Sequence, residues 1–355
     1  MVPAPLPPGS VIGVLGGGQL GRMISIEAAR LGLVTHVFDP AVDPPAGHVA
    51  HRVTTASYDD EAALRAFAES VDVITYEFEN VPATSLDLLG SIAPIRPGRR
   101  ALAVSQDRLD EKAFIAGLGI GVAPHVDLTS ADDLRAALDN HGAGIVKTRR
   151  LGYDGKGQVR VAPDADLSEA IAVLEGAPSI FEAMVPFERE ISVIVARSLA
   201  GQVVCFDPGE NVHRDGILHT TTLPADIADD TAAAAVDIAT RIVDAFDYVG
   251  VMGVELFVLP DGALLVNEVA PRVHNSGHWT IEACVIDQFQ QHVRAIVGWP
   301  LGDGARHSDV VMTNLIGDEA DDWLDLAAGA TTGVHLYGKA EARPGRKMGH
   351  VTRLV

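Results

Sequence analysis

Cysteine is nearly absent from this chain. Cys205 and Cys284 are the only two in 355 residues, far apart and in no C-x-x-C pair. This pattern argues against a disulfide framework and a cysteine-based zinc site, and both thiols read as packed side chains in a reducing compartment. Positive charge is also scarce: Lys and Arg number 27 against 48 Asp and Glu, a net charge of −21. A general nucleic-acid or anionic-membrane binder needs a broad basic footprint, which this balance denies. No run approaches the roughly 18 apolar residues of a transmembrane helix. Residues 1–10 have neither the basic nor the apolar region of a signal peptide. There is no internal repeat, and no low-complexity tract beyond the proline-rich start. A soluble cytoplasmic protein of two to three domains is expected.

What is present is ordinary globular composition, 47% hydrophobic and 21% charged, in a clear α/β pattern. Val11–Leu15, Thr35–Phe38 and Val71–Tyr76 read as strands, separated by helices over Leu20–Leu31 and Asp59–Glu69. Such alternation indicates parallel β-α-β units. A Pro/Gly/Arg cluster over 94–100 marks a boundary. A helix follows at Asp107–Gly117, with Asp at its start and Gly at its end. The middle then turns to short strands at 145–147, 158–161, 179–183, 191–196 and 203–206, an α+β pattern, followed by a helix over 232–246. Residues 252–259 and 263–269 flank Pro260-Asp261-Gly262, a hairpin signal.

Gly16-Gly17-Gly18-Gln19-Leu20-Gly21 matches G-x-G-x-x-G between a strand and a helix. Glycines there let backbone N–H groups approach a phosphate at the positive end of the helix. Asp39 ends the next strand, where a ribose-binding carboxylate sits in dinucleotide folds. Alone, the motif fits a dinucleotide, another phosphate ligand, or a tight turn that only packs helix on strand.

Lys147 ends a strand, and Gly152-Tyr153-Asp154-Gly155-Lys156-Gly157-Gln158 follows. A glycine-rich segment beside a lysine can close over a polyphosphate and exclude water. It lacks the P-loop pattern, and an ordinary hairpin turn is the alternative. Glu255 and Glu268 lie on the two arms of the later hairpin. A two-residue turn at 261–262 sets them directly opposite, where like charges destabilise unless a cation bridges them. Mg²⁺ usually takes one or two carboxylates plus substrate phosphates. A three-residue loop that includes Pro260 sets Glu255 against Asn267 instead.

Together the strand lysine, the glycine-rich segment and the carboxylate set resemble the ATP-grasp superfamily. The strings Gly16–Met23 (GGGQLGRM), Thr75–Val81 (TYEFENV), Lys147–Gln158 (KTRRLGYDGKGQ), Glu210–His213 (ENVH), Asn267–His274 (NEVAPRVH), Ser276–Thr280 (SGHWT) and Arg343–His350 (RPGRKMGH) narrow the resemblance. They are similar to the 5-(carboxyamino)imidazole ribonucleotide synthase family, ATP-dependent carboxylating ligases of purine biosynthesis. The resemblance runs from about residue 10 to the C-terminus.

The resemblance implies a Rossmann-like pre-ATP-grasp domain over 1–105 and an ATP-grasp domain over 106–300, with a lid subdomain at about 122–185. A small β-rich C-terminal domain over 301–355 would contribute to the substrate phosphate site. It implies ATP, bicarbonate and 5-aminoimidazole ribonucleotide as substrates, Mg²⁺ with ATP, and a homodimer with no nucleic-acid or membrane partner. Carried over by position, Arg108, Lys147 and residues Gly152, Tyr153, Asp154, Gly155, Lys156, Gly157 and Gln158 should contact ATP phosphates. Glu182, Ala183, Met184 and Val185 should line the adenine. Glu190 should hold the ribose, and His213 should lie near the nucleotide. Glu255 and Glu268, with Asn267 adjacent, should hold the metal. Gly18, Gln19, Leu20 and Glu77 should meet the aminoimidazole nucleotide, and Lys339, Arg346 and Lys347 its phosphate. Arg272 and His274, with Tyr153 and Asp154, should form the carboxylation site. One departure is Ala270, where many ATP-grasp enzymes place Asn. A formate-using glycinamide ribonucleotide transformylase shares this layout, and a Rossmann oxidoreductase is the rival from another class.

The acidity is uneven. Residues 147–160 hold Lys147, Arg149, Arg150, Lys156 and Arg160 against Asp154 alone, and residues 338–355 hold Lys339, Arg343, Arg346, Lys347 and Arg353 against Glu341 alone. These basic islands coincide with the expected ATP and nucleotide-phosphate sites.

Overall fold

The computed structural model describes residues 3–152 and 156–355. Tyr153, Asp154 and Gly155 lie outside the described residues. The first strands are β1 (Val11–Leu15), β2 (Val34–Asp39), β3 (Arg52–Thr55) and β4 (Val73–Tyr76). They form a parallel sheet in the order β3-β2-β1-β4. Ile12, Val14, Leu15, Val73, Ile74 and Tyr76 are wholly buried, as continuous apolar runs require when helices cover both faces.

A second sheet contains β5 (His125–Leu128), β6 (Gly144–Thr148), β7 (Gln158–Val161) and β8 (Ser179–Ala183), antiparallel in the order β5-β8-β6-β7. Helices Ala131–His141 and Ser168–Gly176 pack on it through Leu134, Leu138 and Ala170. Ser130 caps the first helix by accepting from the Asp133 N–H at 3.2 Å.

The third sheet holds β9 (Arg189–Arg197), β10 (Val203–Cys205), β11 (Gly209–Arg214), β12 (Ile217–Leu223), β13 (Gly250–Val258), β14 (Leu264–Ala270), β15 (Val310–Ile316), β16 (Thr332–Leu336) and β17 (Lys347–Leu354). Its order is β14-β13-β9-β11-β12-β15-β17-β16, with β10 also on β9. The C-terminal strands therefore extend the sheet that carries Glu255 and Glu268 instead of forming a sheet of their own. This continuity fixes the basic C-terminal arm relative to the Glu255/Glu268 hairpin.

The helix Gln288–Val297 joins the first sheet to the third. Phe289, Val293 and Ile296 share one core with Leu20, Met23 and Ile24 of the helix Gln19–Arg30. Its polar side chains are buried too, and buried polar groups need partners. Gln290 donates to Glu27 at 3.1 Å, and Gln291 exchanges bonds with Gly302 at 2.8 and 2.9 Å. His292 Nδ1 accepts from the Val251 N–H at 3.1 Å, so its Nε2 carries the proton and donates to Thr75 Oγ1 at 2.8 Å. Burial pushes the His292 pKa down to about 3, which keeps the ring neutral. No helix among the described residues is long and apolar enough to cross a membrane.

Candidate active site

Glu255 and Glu268 do lie opposite each other, but by a different route from a two-residue turn. The Leu259 N–H bonds the Ala263 carbonyl, and the Gly262 N–H returns to Leu259. Pro260–Gly262 is thus a three-residue loop, with Gly262 at φ +82. Leu256, Phe257 and Val258 face Val266, Leu265 and Leu264, a register that, continued, sets Glu255 on Asn267. A bulge takes up Asn267 as the extra residue, and Glu255 meets Glu268. Both registers read from the sequence occur, one on each side of the bulge.

The two carboxylates are unequally neutralised. Burial alone raises Glu268, but Arg108 and Lys147 outweigh it and hold the carboxyl below its ordinary value. Arg108 Nη1 lies 3.1 Å from Glu268 Oε2. Glu255 is pushed up to about 8 by burial and then by Glu268. Its closest ring neighbour, His274 Nε2 at 3.4 Å, is held neutral by burial, with its pKa well below the ordinary value. With both carboxyls ionised the pair carries more negative charge than its surroundings cancel, so Glu255 holds its proton. Facing hard oxygen donors with this deficit fit Mg²⁺.

Lys147 on β6 and Lys112 on the helix Arg108–Gly117 converge on Glu182 of β8, at 2.7 and 3.2 Å. Burial raises a carboxyl, yet Lys147 and Lys112 hold Glu182 at about 2. Its side chain is committed to these lysines, and its backbone pairs with Ile145 of β6. The N–H groups of Ala183 and Met184 bond the carbonyls of Pro124 and Ala143, so these two donors are taken. Met184 is exposed and Val185 half-buried.

No motif marks Lys112, but helical spacing does. Arg108, Glu111, Lys112 and Ile115 fall at i, i+3, i+4 and i+7, the stripe that normally faces the core. Glu111, Lys112 and Ile115 are buried there. Burial and Glu268 push Glu111 up to about 8, while its Oε1 accepts from the Val269 N–H at 2.8 Å.

The glycine loop has the G-x-G-x-x-G geometry, with Gly16 at φ +96, but its donors are taken. Glu77 accepts from the N–H groups of Gly18 and, at 2.7 Å, Gly21. Asp39 accepts from Gly17 at 2.6 Å and Ala41 at 2.7 Å. A pyrophosphate meets two carboxylates where it needs donors, so the oxidoreductase reading fails and Asp39 is a loop cap. Leu20 points into the core, so only its backbone can meet a ligand; Gln19 is half-buried. A Cβ at Gly18 lies 2.5 Å from Glu77 Oε1. Gly18→Ala is expected to displace Glu77 and cost about 1–3 kcal/mol in urea denaturation; an unchanged midpoint contradicts this lock.

The C-terminal arm folds back onto that loop. A cavity of about 340 Å³ is lined by Gly18, Asp39 and Glu77 on one side and Lys339, Glu341 and Arg346 on the other. Lys339 Nζ donates to the Lys347 carbonyl at 2.6 Å and lies 5.5 Å from the Tyr337 ring centre. Arg346 Nη1 donates to the Glu341 carbonyl at 2.8 Å. The charge of Lys347 is felt at both Glu255 and His274, where it lowers both pKa values.

His274 is held on every side. Gln288 accepts from its N–H at 2.9 Å and donates to its carbonyl at 2.7 Å. Ser192 Oγ donates to Ser276 Oγ at 2.7 Å, and Ser276 Oγ lies 2.8 Å from His274 Nδ1. The Ser276 N–H also donates to Nδ1, so the Nε2 proton of the neutral ring faces Glu255. Arg272 pairs with Glu79 at 2.9 Å. Glu190 Oε2 lies 2.7 Å from His213 Nδ1; burial opposes the His213 proton, and Glu190 outweighs it to raise the pKa. Gly152 lies beside Arg108, Gly157 accepts at its carbonyl from the Thr148 N–H at 2.8 Å, and Gln158 pairs with Lys147. Lys156 is exposed.

Glu282, His335 and His350 also cluster. The His335 and His350 rings stack at 9°, so their lone pairs run side by side instead of converging. Glu282 holds His335 at 2.5 Å, and Tyr337 holds His350 at 2.9 Å. This group reads as a packing network.

A lysine on a lid-like antiparallel sheet, a carboxylate pair on the central sheet and a dinucleotide-type unit with a sealed loop define the ATP-grasp class of carbon–nitrogen ligase. Family models agree: the ribonucleotide synthetase preATP-grasp domain matches residues 10–106, the ATP-grasp domain 113–289, and the phosphoribosylaminoimidazole carboxylase C-terminal domain 310–355. The N5-carboxyaminoimidazole ribonucleotide synthase of Brucella melitensis is 53% identical over 98% of this chain and 97% of its own length. The Bacillus subtilis synthase is 41% identical over 97% and 91%. An Aspergillus clavatus synthase solved with ADP and 5-aminoimidazole ribonucleotide superposes with a TM-score of 0.90, at 33% identity over 98% of this chain and 94% of that one. The chain belongs to the N5-carboxyaminoimidazole ribonucleotide synthase family.

Proposed function

We propose that the chain joins 5-aminoimidazole ribonucleotide, bicarbonate and ATP into the N5-carboxyamino nucleotide, ADP and phosphate, with the following division of work. Lys147, Arg108 and the Gly152–Gln158 segment hold the ATP phosphates. Residues 182–185 line the base through their backbone, Glu190 takes the ribose, and His213 orients Glu190. Mg²⁺ held by Glu255 and Glu268 neutralises phosphate oxygens when bound. A bicarbonate oxygen attacks the γ-phosphorus, the bond to ADP breaks, and carboxyphosphate forms. The exocyclic amine of the nucleotide then captures its carboxyl carbon, or CO₂ released from it, and phosphate leaves.

Arg272, fixed by Glu79, places a cation where these anions gather, with Tyr153 and Asp154 as further members of the set. His274 stays neutral, and its Nε2–H is fixed by the serine chain. Carboxyphosphate is short-lived in water, so the protein's task is positioning and exclusion of water. The observation that supports the reading most is the cavity between the sealed glycine loop and the basic arm. It offers a ribonucleotide phosphate Lys339 and Arg346, and Lys347 of the same arm is the third cation assigned to that phosphate. Homodimer assembly and a cytoplasmic location belong to the same proposal.

ADP release with aminoimidazole ribonucleotide is expected to require bicarbonate and to match the carboxylated product. Dependence on glycinamide ribonucleotide and formate instead overturns the reading.

A further inference from the structure

Gln106, Asp107 and Arg108 are consecutive, and each side chain is tied to a different part of the site. Arg108 holds Glu268. Asp107 caps its helix through the Leu109 N–H at 3.1 Å and grips Arg149 on both oxygens, with Nε and Nη2 each 2.9 Å away. Gln106 serves the other direction. Its Nε2 donates to the carbonyls of Glu79 at 2.6 Å and Val81 at 3.0 Å, and its Oε1 accepts from Arg150 Nη2 at 2.8 Å. Both donors and the acceptor of the amide are thus engaged.

The partner segments are the ones a coupled reaction must coordinate. Residues 77–81 carry Glu77, which locks the glycine loop, and Glu79, which holds Arg272. Arg150 follows Lys147 on the ATP side, and the Arg149 carbonyl accepts from the Arg108 N–H at 3.0 Å. We propose that Gln106 is a positioning residue that couples the aminoimidazole-nucleotide side to the ATP side. An amide bonded to two segments penalises any state in which one moves without the other. Because carboxyphosphate decomposes in water, phosphoryl transfer ahead of a seated nucleotide yields only ADP, phosphate and bicarbonate. The inference rests on the carboxylation reading above.

Its test is the number of ADP formed per carboxylated product in the wild-type chain, Gln106→Ala, Arg150→Ala and the double variant. Wild type is expected to give one for one. Gln106→Ala is expected to form ADP in excess of product and to raise KM for the aminoimidazole nucleotide by about tenfold, with KM for ATP moved far less. Arg150→Ala should give the same excess, and the double variant should be no worse than Gln106→Ala. A purely structural role lowers kcat at a preserved one-for-one ratio, and that result overturns the inference alone, as does an additive double variant. A wild-type chain without nucleotide-dependent ADP formation overturns the reading along with it. Should Gln106→Ala not fold, Arg150→Ala still decides, because that side chain is exposed.

Discussion

Glu268→Gln is expected to lower kcat/KM for nucleotide-dependent ADP formation about a thousandfold, the equivalent of about 4 kcal/mol of lost transition-state stabilisation. The substitution keeps the shape and removes the charge that Arg108 and the opposing Glu255 frame. Glu255→Gln should cost activity similarly, and excess Mg²⁺ should restore neither variant. Near-normal turnover in either variant contradicts the metal role. The two differ in stability. In the metal-free chain, burial and Glu268 raise the Glu255 carboxyl to about 8 from an ordinary 4.5. A raised carboxyl contributes stability that is full below its unfolded value and is lost as pH rises through about 8. Glu255→Gln removes that loss. Metal-free Glu255→Gln should therefore melt higher than wild type at pH 9, with the gap closing toward pH 4. A gap that does not change with pH counts against the burial of an uncompensated charge.

Part of this site is written in local pattern. Lys147 at a strand end, the hairpin acids and the glycine loop each announce themselves through spacing of a few residues. What local pattern omits is what occupies a geometry once it forms. The glycine loop reads as an anion site because strand, turn and helix are all correct. Glu77 and Asp39 fill it from distant strand ends, and only the folded sheet reveals that they do. The same limit explains Asn267. Loop length sets the register at the turn, but a bulge resets it within a few residues, and no turn residue foretells a bulge. The C-terminal strands look like a separate β unit in sequence because their neighbour β12 lies far upstream. Gln288–Val297 is dense in polar residues and would pass for a surface helix, yet each buried amide or imidazole has a fixed partner.

Lys112→Met is expected to destabilise the fold by about 3–5 kcal/mol in urea denaturation, the usual cost of breaking a buried ion pair from one side. Glu182 depends on two ammonium groups. Lys147 alone must then carry a carboxylate that burial disfavours, and the Asn267 carbonyl loses its 3.4 Å contact with Lys112 Nζ beside Glu268. The pH dependence gives a second readout. In the intact chain Glu182 is held at about 2. A depressed carboxyl contributes stability that is full above its ordinary 4.5 and is lost as pH falls through about 2. In Lys112→Met the depression shrinks, so Glu182 contributes less stability above pH 4.5 and has less left to lose in acid. Adding Glu182→Gln removes the stranded charge, and the double variant should be more stable than the sum of the two single losses by at least about 1 kcal/mol. Additive losses would mean that Lys112 acts through packing of its stem, and the charged cluster would then be ordinary core rather than a preorganised phosphate site.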